Sequence, residues 1–140
     1  MMKNYWFGPL ILGLTACTQQ GAQLEDPSAA QAQVAEAAYN ELRDGNYDVF
    51  LSHLKPELQQ YFKDNQKVMK KFSHAIPEGA YKSKTLLVKK METPAGKPQE
   101  FKVSYEIAYP NNLVQYDVSF DRPNGDTQIQ NFNIRVFGES

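Results

Sequence analysis

Cysteine occurs once in the 140 residues, at position 17, so no internal disulfide framework can brace this chain. Histidine is nearly as scarce. His53 and His74 lie far apart, and neither has a partner at metal-ligand spacing, which leaves no zinc motif. The phosphate-cradling GxxxxGK(S/T) loop and HExxH do not occur, and no serine sits in a nucleophile-elbow context. The net charge is only -1, whereas a nucleic-acid-binding domain carries a basic excess. Repeats and low-complexity segments are missing too. Neither metal nor cofactor is expected, and nucleic acid is not an expected partner.

What remains is enough to fold. Hydrophobic residues make up 41% of the chain, aromatics 12% and charged residues 22%, a mixture that buries a core and is not that of a disordered protein. The length suits one domain. The opening MMKNYWFGPLILGLTAC places Lys3 before an apolar stretch from Tyr5 to Leu14 and then small residues. That is the layout of a signal peptide, too short to span a bilayer, which takes about 20 apolar residues. Leu14-Thr15-Ala16-Cys17 resembles the bacterial lipobox. The resemblance implies removal of residues 1–16, a diacylglyceryl thioether on Cys17 and, as a rule, acylation of the freed amine. It also accounts for the lone thiol, which the lipid uses up. Two or more acyl chains anchor stably where one is marginal. The alternative is an ordinary signal peptide that happens to contain a cysteine. Thr18 rather than Asp follows the cysteine, which by the enteric sorting rule implies, in a Gram-negative cell, an outer-membrane lipoprotein facing the periplasm.

Residues 17–27 read as the lipidated cysteine and a flexible tether, polar and without periodicity. About ten such residues reach roughly 17 Å on average and near 35 Å when taut. A single domain over 28–140 follows. Ser28 and Gln31 match a capping box, and Val34, Ala35, Ala38, Tyr39 and Leu42 form an apolar helical stripe that stops at Gly45-Asn46. YDVFLSHL is a second helix, with Val49, Phe50 and Leu54 as its buried positions. Pro56 starts another, carrying Leu58, Phe62, Met69, Phe72 and Ile76 at helical spacing, with a break near Asp64-Asn65 left open. From residue 80 the period changes to two. Residues 81–91, 101–109, 114–120 and 132–136 read as four strands joined by TPAGKP, PNN and RPNGD. The expected fold is α+β, with N-terminal helices packed on a curved four-stranded antiparallel meander. This order, with LRDGNYDVFLSHLKPEL and the step Asp44–Asp48 at the end of the first helix, resembles the nuclear-transport-factor-like superfamily. The resemblance covers Ser28–Gly138 and implies a cone-shaped domain with a cavity at its wide end, catalytic in some members and only binding in others.

Alternation points Tyr105, Tyr109 and Tyr116 inward and puts Glu106, Asp117 and Asp121 on the outward, solvated face. No inward position of the two clearest strands, 101–109 and 114–120, is a carboxylate, which argues against proton-transfer chemistry of the ketosteroid-isomerase kind. The three tyrosines either line a ligand pocket with His53 at its rim or sit at the edge of the core with their hydroxyls in water. His74 complements a helix C-terminus. Residues 63–90 hold eight lysines against Asp64 and Glu78. Lys67, Lys70, Lys71, Lys82, Lys84, Lys89 and Lys90 form a candidate surface for anionic envelope material. Alternatively they are a solvated helix face plus a guarded edge strand. The expected role is non-catalytic: binding a partner protein or a small apolar ligand at the envelope. The alternatives are a cavity enzyme using Tyr105 or Tyr116 with a histidine, and a basic-patch adaptor.

Overall fold

The computed structural model describes residues 24–138; the lipobox, Cys17 and most of the proposed tether lie outside them. Four helices precede four strands: α1 Ala29–Arg43, α2 Tyr47–Ser52, α3 Pro56–Asp64, α4 Gln66–Ala75, β1 Ser83–Glu92, β2 Glu100–Ala108, β3 Asn112–Phe120 and β4 Asn131–Gly138. The strands form one antiparallel sheet in the order β1-β2-β3-β4, an α+β fold. Gly45, at φ +78°, ends α1 in a conformation that glycine adopts without steric cost. Asn65 separates α3 from α4, its side-chain amide donating to the Tyr61 carbonyl at 2.8 Å.

The inward residues of β2 and β3 face each other in register, Phe101 with Phe120, Val103 with Val118, Tyr105 with Tyr116 and Ile107 with Val114. All are buried. The helices cover them with Ala35, Ala38, Tyr39, Leu42, Phe50, Phe62 and Met69, joined by Leu54 from the link after α2. Phe132 is the hub of an aromatic cluster, 5.1 Å from Phe50, 6.0 Å from Phe72 and 5.2 Å from Tyr116, each edge to face. Val49, expected inside, is 46% exposed. In so short a helix the neighbouring Phe50 and Leu51 take the inward face and turn Val49 to solvent.

Three features come from contacts that no local pattern carries. Ile129 is fully buried in the β3–β4 connection and bridges Leu54: the Lys55 N–H donates to its carbonyl at 2.8 Å, and its own N–H donates to His53 O at 2.9 Å. Asp117, expected in solvent, is only 8% exposed. Its short side chain lies on a central strand between the cross-strand neighbours Ser104 and Asn133 and accepts from Ser104 Oγ at 2.6 Å. Gln31 is fully buried. It completes the capping box with Ser28, both bonds 3.0 Å. It also donates from Nε2 to the carbonyls of Arg122 and Asp126 at 2.9 and 3.1 Å, while Oε1 accepts from Asn124 N at 3.1 Å.

Gln31→Leu keeps the volume and strands those backbone groups, so it should cost about 2–3 kcal/mol in denaturant unfolding. Ser28→Ala loses only a cap, about 1 kcal/mol. Equal losses for the two variants would show that the clamp on the loop carries nothing.

Candidate functional site

The tyrosines expected to line a pocket are brought together under α1, and the hydroxyls of Tyr109 and Tyr116 are used internally. The rings of Tyr39 and Tyr116 stand 5.1 Å apart, and Tyr105 stacks on Tyr116 at 6.0 Å. Tyr116 donates to the Ala35 carbonyl at 2.7 Å. Tyr39 and Tyr109 share a hydrogen bond of 2.7 Å between their hydroxyls, and Tyr81 donates to Glu36 at 3.2 Å. The crevice lined by Tyr39, Tyr81, Lys84, Tyr105 and Tyr116 encloses about 10 Å³, space for about one water. Tyr109 and His53 do not line it. His53 sits at the C-cap of α2 instead, with its Nε2 buried and unpartnered among the described residues.

Burial raises the Tyr39 hydroxyl well above the ordinary tyrosine range, with the Tyr109 hydrogen bond adding to the effect. Burial likewise raises Tyr116 and Tyr105. Proton donors held this firmly neutral neither exchange a proton near neutral pH nor contribute negative charge. The cluster is a polar seam in a closed core.

The lysine band divides in two. Lys84 and Lys89 lie on edge strand β1 opposite the inward positions Ile107 and Val103, and α1 and the segment before it answer them. Lys84 Nζ stands 3.6 Å from Glu36 and 5.3 Å from the centre of the Tyr105 ring. Lys89 Nζ bonds Asp26 at 2.7 Å and the Leu24 carbonyl at 2.8 Å, tying the end of the expected tether to the sheet. Lys90 pairs with Glu92 at 2.9 Å, which holds that carboxyl below the usual range. A register shift between Leu86 and Val88 further disrupts this edge. Inward charges and a bulge are the devices that keep an edge strand from pairing with another sheet. Lys67, Lys70, Lys71 and the exposed His74 instead stand at i, i+3, i+4 and i+7 of α4, without ion pairs among the described residues. That spacing makes one solvent-facing stripe. Lys82 is exposed and donates only its backbone N–H, to Ala108 at 2.6 Å.

Residues 24–139 match the family described as domain of unknown function DUF4878. The chain belongs to this family. No curated protein and no solved structure is significantly similar to it. The match begins at Leu24, the residue whose carbonyl Lys89 holds, so the DUF4878 domain includes the segment docked on β1. Among the described residues of this domain no helix is long and apolar enough to cross a membrane, and no three His, Cys, Asp or Glu side chains group as metal ligands.

A raised tyrosine pKa means that the folded chain binds these protons more tightly than the unfolded one. The stability they contribute is whole below about pH 10 and falls as pH rises beyond it. Phenolate absorbance should therefore show Tyr39, Tyr105 and Tyr116 ionising only as the domain unfolds. Reversible ionisation of all described tyrosines in a folded protein near pH 10 would contradict the closed seam.

Proposed function

We propose that this DUF4878 protein is an envelope lipoprotein, anchored through a lipidated Cys17, whose domain binds a partner protein and performs no chemistry itself. The observation that carries the reading is the closed core. The hydroxyls of Tyr39 and Tyr109 bond to each other and those of Ser73 and Tyr116 to backbone, and the space beneath α1 admits about one water. A small apolar ligand would need an open cavity, and an acid–base enzyme a titratable group beside one. Apolar side chains stand outside instead: Val49, Leu87, Leu113 and Phe137 are exposed, and Leu113 and Phe137 are cross-strand neighbours. Exposed apolar surface of this kind favours protein contact. In this reading the domain is a closed member of the nuclear-transport-factor-like superfamily, sharing its order of helices before an antiparallel meander.

The anchor rests on the Leu14–Cys17 motif and the lone thiol. Six residues lie between Cys17 and the docked Leu24, and the seven steps span at most roughly 25 Å. The domain is then held beside the membrane and meets partners within that layer. A second reading, contact with anionic headgroups, is favoured by the unpaired stripe on α4.

Wild-type protein should incorporate labelled fatty acid, and Cys17→Ala should not. Photo-cross-linking from Phe137 in intact cells should yield a discrete product that Cys17→Ala weakens. Native mass spectrometry of protein released gently from its own envelope should show no retained small molecule; a stoichiometric ligand would overturn the partner reading. Lys70→Glu with Lys71→Glu should leave the melting temperature unchanged. Loss of binding to phosphatidylglycerol vesicles in that variant would establish the second reading, and unchanged binding would remove it.

A further inference from the structure

Edge strand β1 carries two side chains that neither the core nor the ladder uses. Burial alternates along its first residues, with Lys84 and Leu86 partly buried and Ser83 and Thr85 exposed, and Lys89 is partly buried again. Between Leu86 and Lys89 the alternation slips: Leu87 and Val88 are both exposed, at 54% and 45%. The register shift is the cause. Leu86 stands opposite Tyr105 and Val88 opposite Ser104, so Leu87 is an extra residue without a partner on β2. Successive residues of a regular strand point to opposite faces, whereas a bulge inserts one residue and re-aims its neighbour. Two consecutive aliphatic side chains are thereby delivered to solvent. Guarding the edge requires the bulge and the inward lysines, not apolar residues in water.

The chain enters the domain at the same place. Lys89, the residue after Val88, holds the Leu24 carbonyl at 2.8 Å and Asp26 at 2.7 Å, and Leu24 packs against the core. The stretch from Cys17 to Leu24 spans at most roughly 25 Å. In a lipoprotein anchored at Cys17, the bulge is therefore the apolar surface beside the point of attachment. Lys82 and Lys90 stand exposed on either side of it, and lysine stems lie along apolar surface while their ammonium groups stay among polar headgroups. The other exposed surfaces are remote. β4 is the opposite edge of the sheet, three strand spacings or about 14 Å from β1. It carries Phe137, and α4 lies over it, with Phe72 6.0 Å from Phe132. A short flexible linker holds its ends together at an effective concentration of about millimolar. A contact of two side chains, too weak to recruit a free protein, can then orient a tethered one.

We infer that Leu87 and Val88 rest in the interfacial layer of the bilayer that holds the anchor. Edge β1 faces the membrane, the α4 stripe is turned from it, and Leu113 and Phe137 are left free for a partner. The inference rests on the anchored-lipoprotein reading above and adds the orientation of the domain.

The test uses the full acylated chain in vesicles of phosphatidylethanolamine and phosphatidylglycerol. Lipid occupies the Cys17 sulfur, so Leu87→Cys, Phe137→Cys and Lys71→Cys each offer one thiol for a nitroxide label. Its depth is read from collisions with oxygen and with an aqueous nickel chelate. The label at position 87 should lie about 5–10 Å inside the headgroup boundary, the depth that interfacial apolar side chains reach. Labels at positions 137 and 71 should remain in water. A label at 87 as open to nickel as that at 137 would overturn the inference, and so would shielding at 71 in its place. Val88→Cys, at a second exposed position, carries the measurement if Leu87→Cys does not fold. Flotation with the vesicles is scored on every sample. Protein that floats but leaves position 87 in water refutes the orientation alone, whereas protein that fails to float removes the anchor and the orientation with it.

Discussion

The buried amide of Gln31 joins the first turn of α1 to the connection between β3 and β4, and the rest of the inner layer depends on that junction. Both hydrogens and both lone pairs of the amide are used, so the helix cannot slide or rotate without stranding polar groups in a dry place. With α1 held there, Ala35 meets the Tyr116 hydroxyl, Tyr39 meets Tyr109, and Glu36 comes within reach of Lys84 and Tyr81. The closed tyrosine seam is thus a consequence of helix placement. A fold of this order could enclose a cavity; here tyrosine rings and their mutual hydrogen bonds fill it.

The charges follow a related logic. Lysines on the edge strand turn inward and meet carboxylates of α1 and of the segment before it, so they guard an edge and fasten the chain's entry into the domain. The lysines of α4 have no such counterparts and face solvent as one stripe. A band that looks continuous along the chain is two surfaces with different roles, because helix and strand carry their side chains to different sides of the molecule. Ion pairs this exposed contribute little stability each. They matter more for what they forbid, namely another strand docking along β1.

The element plan was legible along the chain. Ser28 and Gln31 announce the start of α1, Pro56 begins α3, and period-two alternation from residue 80 gives four strands with the inner residues of β2 and β3 correctly sided. The misreadings are instructive. Val49 lies in a helix too short for periodicity to orient. Asp117 follows the alternation rule in facing outward, yet its central-strand neighbours bury it. Ile129 lies between the RPNGD turn and the last strand, where no element was expected, and only the distant Leu54 explains why it is apolar. Of the candidate site residues, the tyrosines could be placed on the inward face, but their partners could not be named, since Tyr39, Tyr109 and Ala35 come from elements far apart in sequence.

By itself, then, the sequence determined the α+β class, the order of elements and the side of the sheet that the residues of β2, β3 and β4 face. Capping, turn chemistry and alternation act over a few residues and leave their marks locally. Only the tertiary structure decided whether the space under α1 is open or filled and which lysines are neutralised. Each of these depends on groups delivered from distant segments. Burial then sets the cost of leaving them unmatched, and that cost is a property of the assembled surroundings rather than of any residue alone.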